Sequence, residues 1–250
     1  MEVINRPDYT EKVKKLFGKG FIIALTGQRR VGKSFIMRQV IKELSQDSAA
    51  HVIYIDKDNE EFSFVQSHEE LTKYVKSNLL SNKRNYLFVD EIQNIKEFEV
   101  SLRSFHTNDE CEMVITGSNA KMLSSELSTY LSGRCVEYHI QSLDYREFLT
   151  FHRLSDNNQS LHSYLKYGGL PQLHRIGLEE TELVDDYLKS VYHTIVLKDV
   201  IEREEIRNVP LLKNLIRFVG DNVGKVFSAS SIVKYLKSQQ VDSSTRVILN

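Results

Sequence analysis

The sequence predicts an α/β fold built on a five-stranded parallel sheet with helices on both faces, and three observations carry that expectation. Short apolar runs alternate with segments of helical periodicity through residues 1–150, the pattern of a sheet covered on both sides. The first run, Phe21-Ile22-Ile23-Ala24-Leu25, leads straight into Thr26-Gly27-Gln28-Arg29-Arg30-Val31-Gly32-Lys33-Ser34, a match to the phosphate-binding loop G-x-x-x-x-G-K-[ST]. A later run, Asn85-Tyr86-Leu87-Phe88-Val89, ends in two carboxylates, Asp90 and Glu91. The class expected is therefore an α/β P-loop nucleotide-binding protein.

Each element follows in order. Pro7 and Asp8 suit the first turn of a short leading helix that ends near Gly18. The apolar run at Phe21 is a buried strand. Phe35, Ile36, Val40, Ile41 and Leu44 then recur at helical spacing. His51-Val52-Ile53-Tyr54-Ile55 is a second strand, and Leu71, Val75, Leu79 and Leu80 mark the helix leading to the third, which ends at Asp90. Phe98, Leu102 and Phe105 mark another helix, Glu112 to Thr116 a fourth strand, and Val136 to Ile140 a fifth. Ser118 or Asn119 caps the helix between the last two strands.

The loop chemistry follows from its residues. Gly27 and Gly32 let the backbone wrap phosphate oxygens, and Gln28, Arg29, Arg30, Val31 and Phe35 complete the cradle at a helix N-terminus. Lys33 reaches the β- and γ-phosphates, and the Ser34 hydroxyl takes a Mg²⁺ position. Asp90 fits the strand-terminal aspartate that holds Mg²⁺ through water. Glu91 has the reach to polarise a water in line with the γ-phosphate. Ligands of such sheets bind at the carboxyl ends of the strands, where Ser118 or Asn119 could touch the γ-phosphate or orient the water.

Other classes find less support. A net charge of −1 gives no global footprint for nucleic acid. No apolar run approaches the ~20 residues of a membrane span, and Met1-Glu2-Val3-Ile4-Asn5-Arg6-Pro7 lacks a signal-peptide pattern. Cys111 and Cys135 read as buried thiols of a reducing, cytoplasmic protein. His68-Glu69-Glu70-Leu71-Thr72 ends in the wrong residue for a zinc-protease pair, and no Cys/His cluster has metal spacing. Asn82-Lys83-Arg84-Asn85 likewise fails the guanine-reading pattern.

Past residue 150, Gly168-Gly169-Leu170-Pro171 reads as a rigid turn between lid helices. A long helix is expected from Glu179 to Arg207, with an apolar stripe of Leu183, Tyr187, Val191 and Ile195. Leu211 to Val219 is helical, with Gly220 and Gly224 as breakers, and a further helix starts at Ser228. Val241 to Arg246 looks like the turn and start of a recognition-type helix. The chain stops at Asn250, before a wing could form, which suggests a truncated winged helix. Lys234, Lys237 and Arg246 could then meet DNA phosphates. The expected organisation is residues 1–150 as the P-loop core, 151–208 as a helical lid and 209–250 as a partial winged-helix-like segment.

Taken in order, the P-loop, Asp90-Glu91-Ile92-Gln93, Thr116-Gly117-Ser118-Asn119, Leu131-Ser132-Gly133-Arg134, Leu143-Asp144-Tyr145-Arg146-Glu147-Phe148 and Tyr167-Gly168-Gly169-Leu170-Pro171 resemble the bacterial and archaeal AAA-type ATPases of the origin-recognition-like branch of the AAA+ superfamily. The resemblance implies strand order 5-1-4-3-2, a helical lid and ATP rather than GTP. It also implies that Arg134 acts in trans on a neighbouring copy's site, as an arginine finger of a homo-oligomer. Arg175, just past the Gly-Gly-Leu-Pro turn, could be a lid arginine of the sensor 2 type, though no tight motif marks it. The activity expected is Mg·ATP hydrolysis that moves the lid and C-terminal region. Two other readings stay open: a nucleotide-gated DNA- or protein-binding module with negligible hydrolysis, and a small-molecule P-loop kinase.

Overall fold

The computed structural model describes residues 4–118, 131, 133–195 and 208–239. The chain divides into two compact units, Met1–Glu180 and Thr181–Asn250. In the first, β1 (Ile22–Thr26), β2 (Ala50–Asp56), β3 (Arg84–Asp90), β4 (Glu112–Gly117) and β5 (Cys135–His139) form one sheet in the order 2-3-4-1-5. Read from the other edge, this is the expected 5-1-4-3-2, and every pairing is parallel. Helix α1 (Pro7–Lys14) precedes β1, and α2 (Lys33–Leu44), α3 (His68–Asn78) and α4 (Phe98–Thr107) join β1 to β2, β2 to β3 and β3 to β4.

Alternation along the strands decides which face each helix covers, because successive side chains point to opposite sides. Ile22, Ala24, Leu87, Val89, Met113 and Ile115 pack with Leu71 and Val75 of α3 and Phe98, Leu102 and Phe105 of α4. Their neighbours Ile23, Leu25, Tyr86, Phe88 and Val114 pack on the opposite face with Val13 of α1 and Ile36, Met37 and Val40 of α2. A sheet buried on both faces explains why all five β1 residues are buried and why the run reads as continuously apolar. The leading helix is shorter than expected: Lys15 is its C-cap, and turns carry the chain to Gly18.

Cys135 opens β5 and Cys111 just precedes β4. Burial pushes both thiols up to about 12, so neither is a reactive thiolate.

After β5 come α5 (Tyr145–His152), α6 (Asn158–Tyr167) and the short α7 (Leu173–Ile176). Asp144 accepts from Glu147 N at 2.8 Å while Glu147 Oε2 accepts from Asp144 N at 3.1 Å, a reciprocal cap for α5. Leu143, Phe148 and Phe151 form a separate core with Ile4, Tyr145, Tyr164 and Leu178. The turn at Gly168-Gly169 locks onto it: Leu143 N donates to Gly169 O at 2.7 Å. A Cβ at position 169 would sit 2.1 Å from Leu143 O, so only glycine lets the two backbones meet.

His152 makes this subdomain acid-sensitive. Its ring lies 4.3 Å from that of Phe148, tilted by 44°, its Nε2 is buried with no partner among the described residues, and burial, aided by His174, pushes it down to about 4. As pH falls from 6.5 toward 4, the unfolded chain takes up a proton that the folded chain refuses, so stability drops through that window. Urea midpoints at pH 7 and pH 5 should therefore differ more for wild type than for His152→Asn. Equal differences would mean that His152 does not drive the loss.

The second unit contains α8 (Thr181–Tyr192), α9 (Val209–Asp221) and α10 (Ala229–Ser238). The single helix expected from Glu179 to Arg207 is α8 followed by one π turn at residues 193–195, and its remainder, 196–207, lies outside the described residues. Helix α9 ends at Asp221, one residue past Gly220, where a break is expected. Phe218, Ile232 and Leu236 join α9 to α10, with Leu211, Leu215 and Tyr235 around them. The helix expected from Ser228 is α10, and Ser228 is its cap, accepting from Ser231 N at 3.2 Å. The recognition-type segment, Val241 to Arg246, lies outside the described residues.

Candidate nucleotide site

The carboxyl ends of β1, β3 and β4 lie side by side, and each delivers part of one site. The register pairs Leu25 with Thr116 and Thr26 with Gly117, while β3 ends against β4 at Val89 and Ile115. The loop from Gly27 to Lys33 opens into α2, with Gly32 as its N-cap. A Cβ at position 27 would lie 2.2 Å from Ile140 O, so the chain needs glycine to leave β1 beside β5.

Lys33 is 4% exposed, and its Nζ donates to Gly27 O at 3.0 Å and Gln28 O at 3.1 Å. The same ammonium lies 4.0 Å from Glu91 Oε1. Burial pushes Lys33 down from its ordinary range, while the nearby Glu91 and Asp90 charges oppose that shift. Asp90, 2% exposed, is pushed up by burial despite hydrogen bonds from Thr116 and Ser34. A buried cation and a buried acid, each displaced away from its charged form, suit a place where phosphate and metal charges would complete the balance.

Ser34 touching Asp90 also answers whether the residues fit Mg²⁺. No group of three His, Cys, Asp or Glu among the described residues could hold a metal ion. Mg²⁺ needs no such group, since it is usually held by one or two protein oxygens, substrate phosphates and water. A serine hydroxyl against a carboxylate at the end of a phosphate-binding loop fits that donor set.

Thr116 is a residue the sequence reading missed. It is fully buried, donates to Asp90 Oδ1 and accepts from Glu91 N at 2.9 Å, so one hydroxyl ties the Asp90 carboxylate to the Glu91 backbone. Tyr54 Oη lies 3.5 Å from Asp90 Oδ2 and 3.2 Å from Asp56 Oδ2, and Arg38 pairs with Asp56 at 3.0 Å. Burial raises the Tyr54 phenol to about 12, with Arg38 opposing, so it stays a neutral donor to these carboxylates. The signal in the sequence was positional: Thr116 sits one residue before the end of β4, in register with β1.

Glu91 has a left-handed backbone, φ 53°, an uncommon conformation for a side chain of this kind. It turns the carboxylate toward Lys33 as β3 ends. Ser118 Oγ donates to Glu91 Oε2 at 3.0 Å, and Gln93 Nε2 donates to the same oxygen. Arg29 and Arg30 are exposed on the loop, Arg30 with φ 67°, and Arg29 lies close enough to Lys33 and Asp58 to perturb both electrostatically. Val31 is buried, Gln28 and Phe35 are exposed, and Arg175 of α7 and Arg38 stand over the Phe35 ring at 5.8 and 5.9 Å.

Thus Lys33, Ser34, Asp90, Glu91 and Ser118 converge. Asn119 lies outside the described residues. Arg134 does not join them. It is exposed and directly precedes β5, which places it at the amino ends of the strands, about 16 Å of strand length from the loop.

Residues 19–149 match an AAA domain family model, and residues 158–248 match a domain of unknown function. An uncharacterized protein of Haemophilus influenzae is 31% identical over 98% of this chain and 62% of its own length. An uncharacterized protein of Methanocaldococcus jannaschii is 28% identical over 92% of this chain and 53% of its own. The chain thus spans less than two thirds of either relative. Among solved structures, AMPPCP-bound DnaA from Aquifex aeolicus superposes with a TM-score of 0.50 at 13% identity, covering 94% of this chain and 85% of that one. The Aeropyrum pernix ORC1 protein in complex with DNA gives 0.50 at 13%, covering 98% and 81%. The Saccharomyces cerevisiae Hsp104–ADP complex gives 0.51 at 16%, covering 99% and 39%. At these identities the likeness is one of fold.

Proposed function

The chain belongs to the AAA domain family, and from that premise we propose that it binds and hydrolyses Mg·ATP, coupling turnover to movement of its helical lid and C-terminal region. The observation that carries this reading is the meeting of Lys33 with Glu91 at 4.0 Å beside the buried Asp90. Lys33 would leave the Gly27 and Gln28 carbonyls for the β- and γ-phosphates. Ser34 and Asp90 would hold Mg²⁺, which when bound neutralises charge on the phosphate oxygens. Glu91 would draw the proton from a water aimed at the γ-phosphate. Ser118, with Asn119 next in sequence, would link the state of that phosphate to the lid through Glu91. Arg175, lying over Phe35, gives the lid a cation beside the loop helix.

Arg134 would serve a neighbouring copy. Its exposed position at the amino ends of the strands keeps it away from its own chain's Lys33, so a role in hydrolysis would be one in trans. The test is ATP binding and phosphate release by wild type and Lys33→Ala over rising protein concentration. Binding and turnover in wild type, both lost in Lys33→Ala, would uphold the reading. Specific activity that climbs with concentration would support the trans arginine, and a flat profile would remove it. Absence of ATP binding in wild type would end the proposal.

A nucleotide-gated DNA-binding module is the rival. Lys234 and Lys237 are exposed on α10, and the Aeropyrum pernix neighbour is itself a complex with DNA. An ATP-dependent DNA mobility shift with no turnover would select it.

A further inference from the structure

Gln93 has an amide arranged for one purpose. Its Nε2 donates to Glu91 Oε2 and lies 3.5 Å from Ser118 Oγ, while its Oε1 is buried with no donor among the described residues. A buried acceptor without a partner costs free energy, and an apolar side chain of similar size in the same place would avoid that cost. Rotating the amide by half a turn gives no relief, since Oε1 would then face the Glu91 carboxylate. The arrangement is explained if the contact with Glu91 is what position 93 supplies.

That contact has a defined chemical result. Both side-chain donors, from Ser118 and Gln93, fall on Oε2. Oε1 is left facing Lys33 at 4.0 Å, the side on which phosphate would lie. Thr116 fixes the Glu91 backbone N–H at 2.9 Å, so the residue is held at both ends. One carboxylate oxygen becomes an anchor and the other remains open to accept a proton.

We propose that Gln93 is a positioning residue for Glu91: its amide, together with the Ser118 hydroxyl, anchors Oε2 and thereby assigns Oε1 as the atom that meets the attacking water. This rests on the reading of Glu91 as the base. Positioning of this kind acts on the chemical step and leaves substrate binding alone.

The test is steady-state phosphate release from Mg·ATP by wild type, Gln93→Leu and Gln93→Glu, with thermal midpoints measured alongside. Gln93→Leu removes the donor, and Gln93→Glu keeps the shape while placing an acceptor against Glu91. Both should lower kcat at least tenfold with KM for ATP within twofold of wild type, and the near-isosteric Gln93→Glu decides the matter if Gln93→Leu fails to fold. An active wild type with kcat within twofold in the variants would overturn the role of Gln93 alone. So would a kcat loss that comes with an equal rise in KM and a lowered midpoint, the mark of a structural residue. A wild type that binds ATP without turnover would overturn the reading of Glu91 and this inference with it.

Discussion

Glu91→Gln should lower phosphate release by about 10²–10⁴-fold while Mg·ATP still binds. The amide has the size of the carboxylate and can still accept from Ser118 Oγ, now 3.0 Å from Glu91 Oε2. What it cannot do is take a proton from water. Binding should hold or tighten, because the substitution removes a negative charge 4.0 Å from the Lys33 ammonium, close to where anionic phosphates would lie. The measurement is phosphate release beside nucleotide affinity for both proteins. Turnover lost with affinity retained makes Glu91 the base. Affinity lost together with turnover would show a structural role instead, and affinity in both with turnover in neither would favour the gated-module reading.

How much of this was legible depended on distance along the chain. The phosphate loop, its strand and its helix occupy consecutive residues, so their pattern exposes them before any tertiary contact is considered. The strand order needed more than pattern: alternating apolar runs predict a parallel sheet, but only the family resemblance supplied 5-1-4-3-2. Asp90 and Glu91 were visible because they terminate a buried strand. Thr116 and Gln93 were not, since a buried threonine at a strand end and a polar residue two past Glu91 acquire their roles only through register and a turn. Arg134 was found by resemblance, and its place at the amino ends of the strands became clear only once the sheet was seen to be parallel.

Arg6→Ala should strongly destabilise the P-loop unit, and nothing about Asn5-Arg6-Pro7 announces it. The guanidinium is 4% exposed and binds Glu147 through two contacts, Nε to Oε1 at 2.7 Å and Nη2 to Oε2 at 2.8 Å. Its Nη1 donates to Val31 O in the phosphate loop at 3.1 Å and to Gln141 O after β5 at 3.0 Å, and its face rests 4.6 Å from the Tyr9 ring. One side chain thus joins the N-terminal segment, the P-loop, the exit of β5 and the cap of α5, across 141 residues of sequence. Removing it leaves a partly buried carboxylate and two carbonyls short of donors, a loss of up to about 3–5 kcal/mol, the figure for a broken buried pair. For a unit of this size that corresponds to a fall of about 6–20 °C in midpoint. Arg6→Lys keeps the charge but not the planar fork, so it should fall between wild type and alanine. Because Val31 O is one of the acceptors, ATP affinity should weaken in the same order, alanine below lysine below wild type. Thermal unfolding and ATP titration of the three proteins decide it. A midpoint for Arg6→Ala within 2 °C of wild type would mean that water replaces the guanidinium at these acceptors, whereas a large fall with unchanged affinity would separate the fold's need for Arg6 from the loop's.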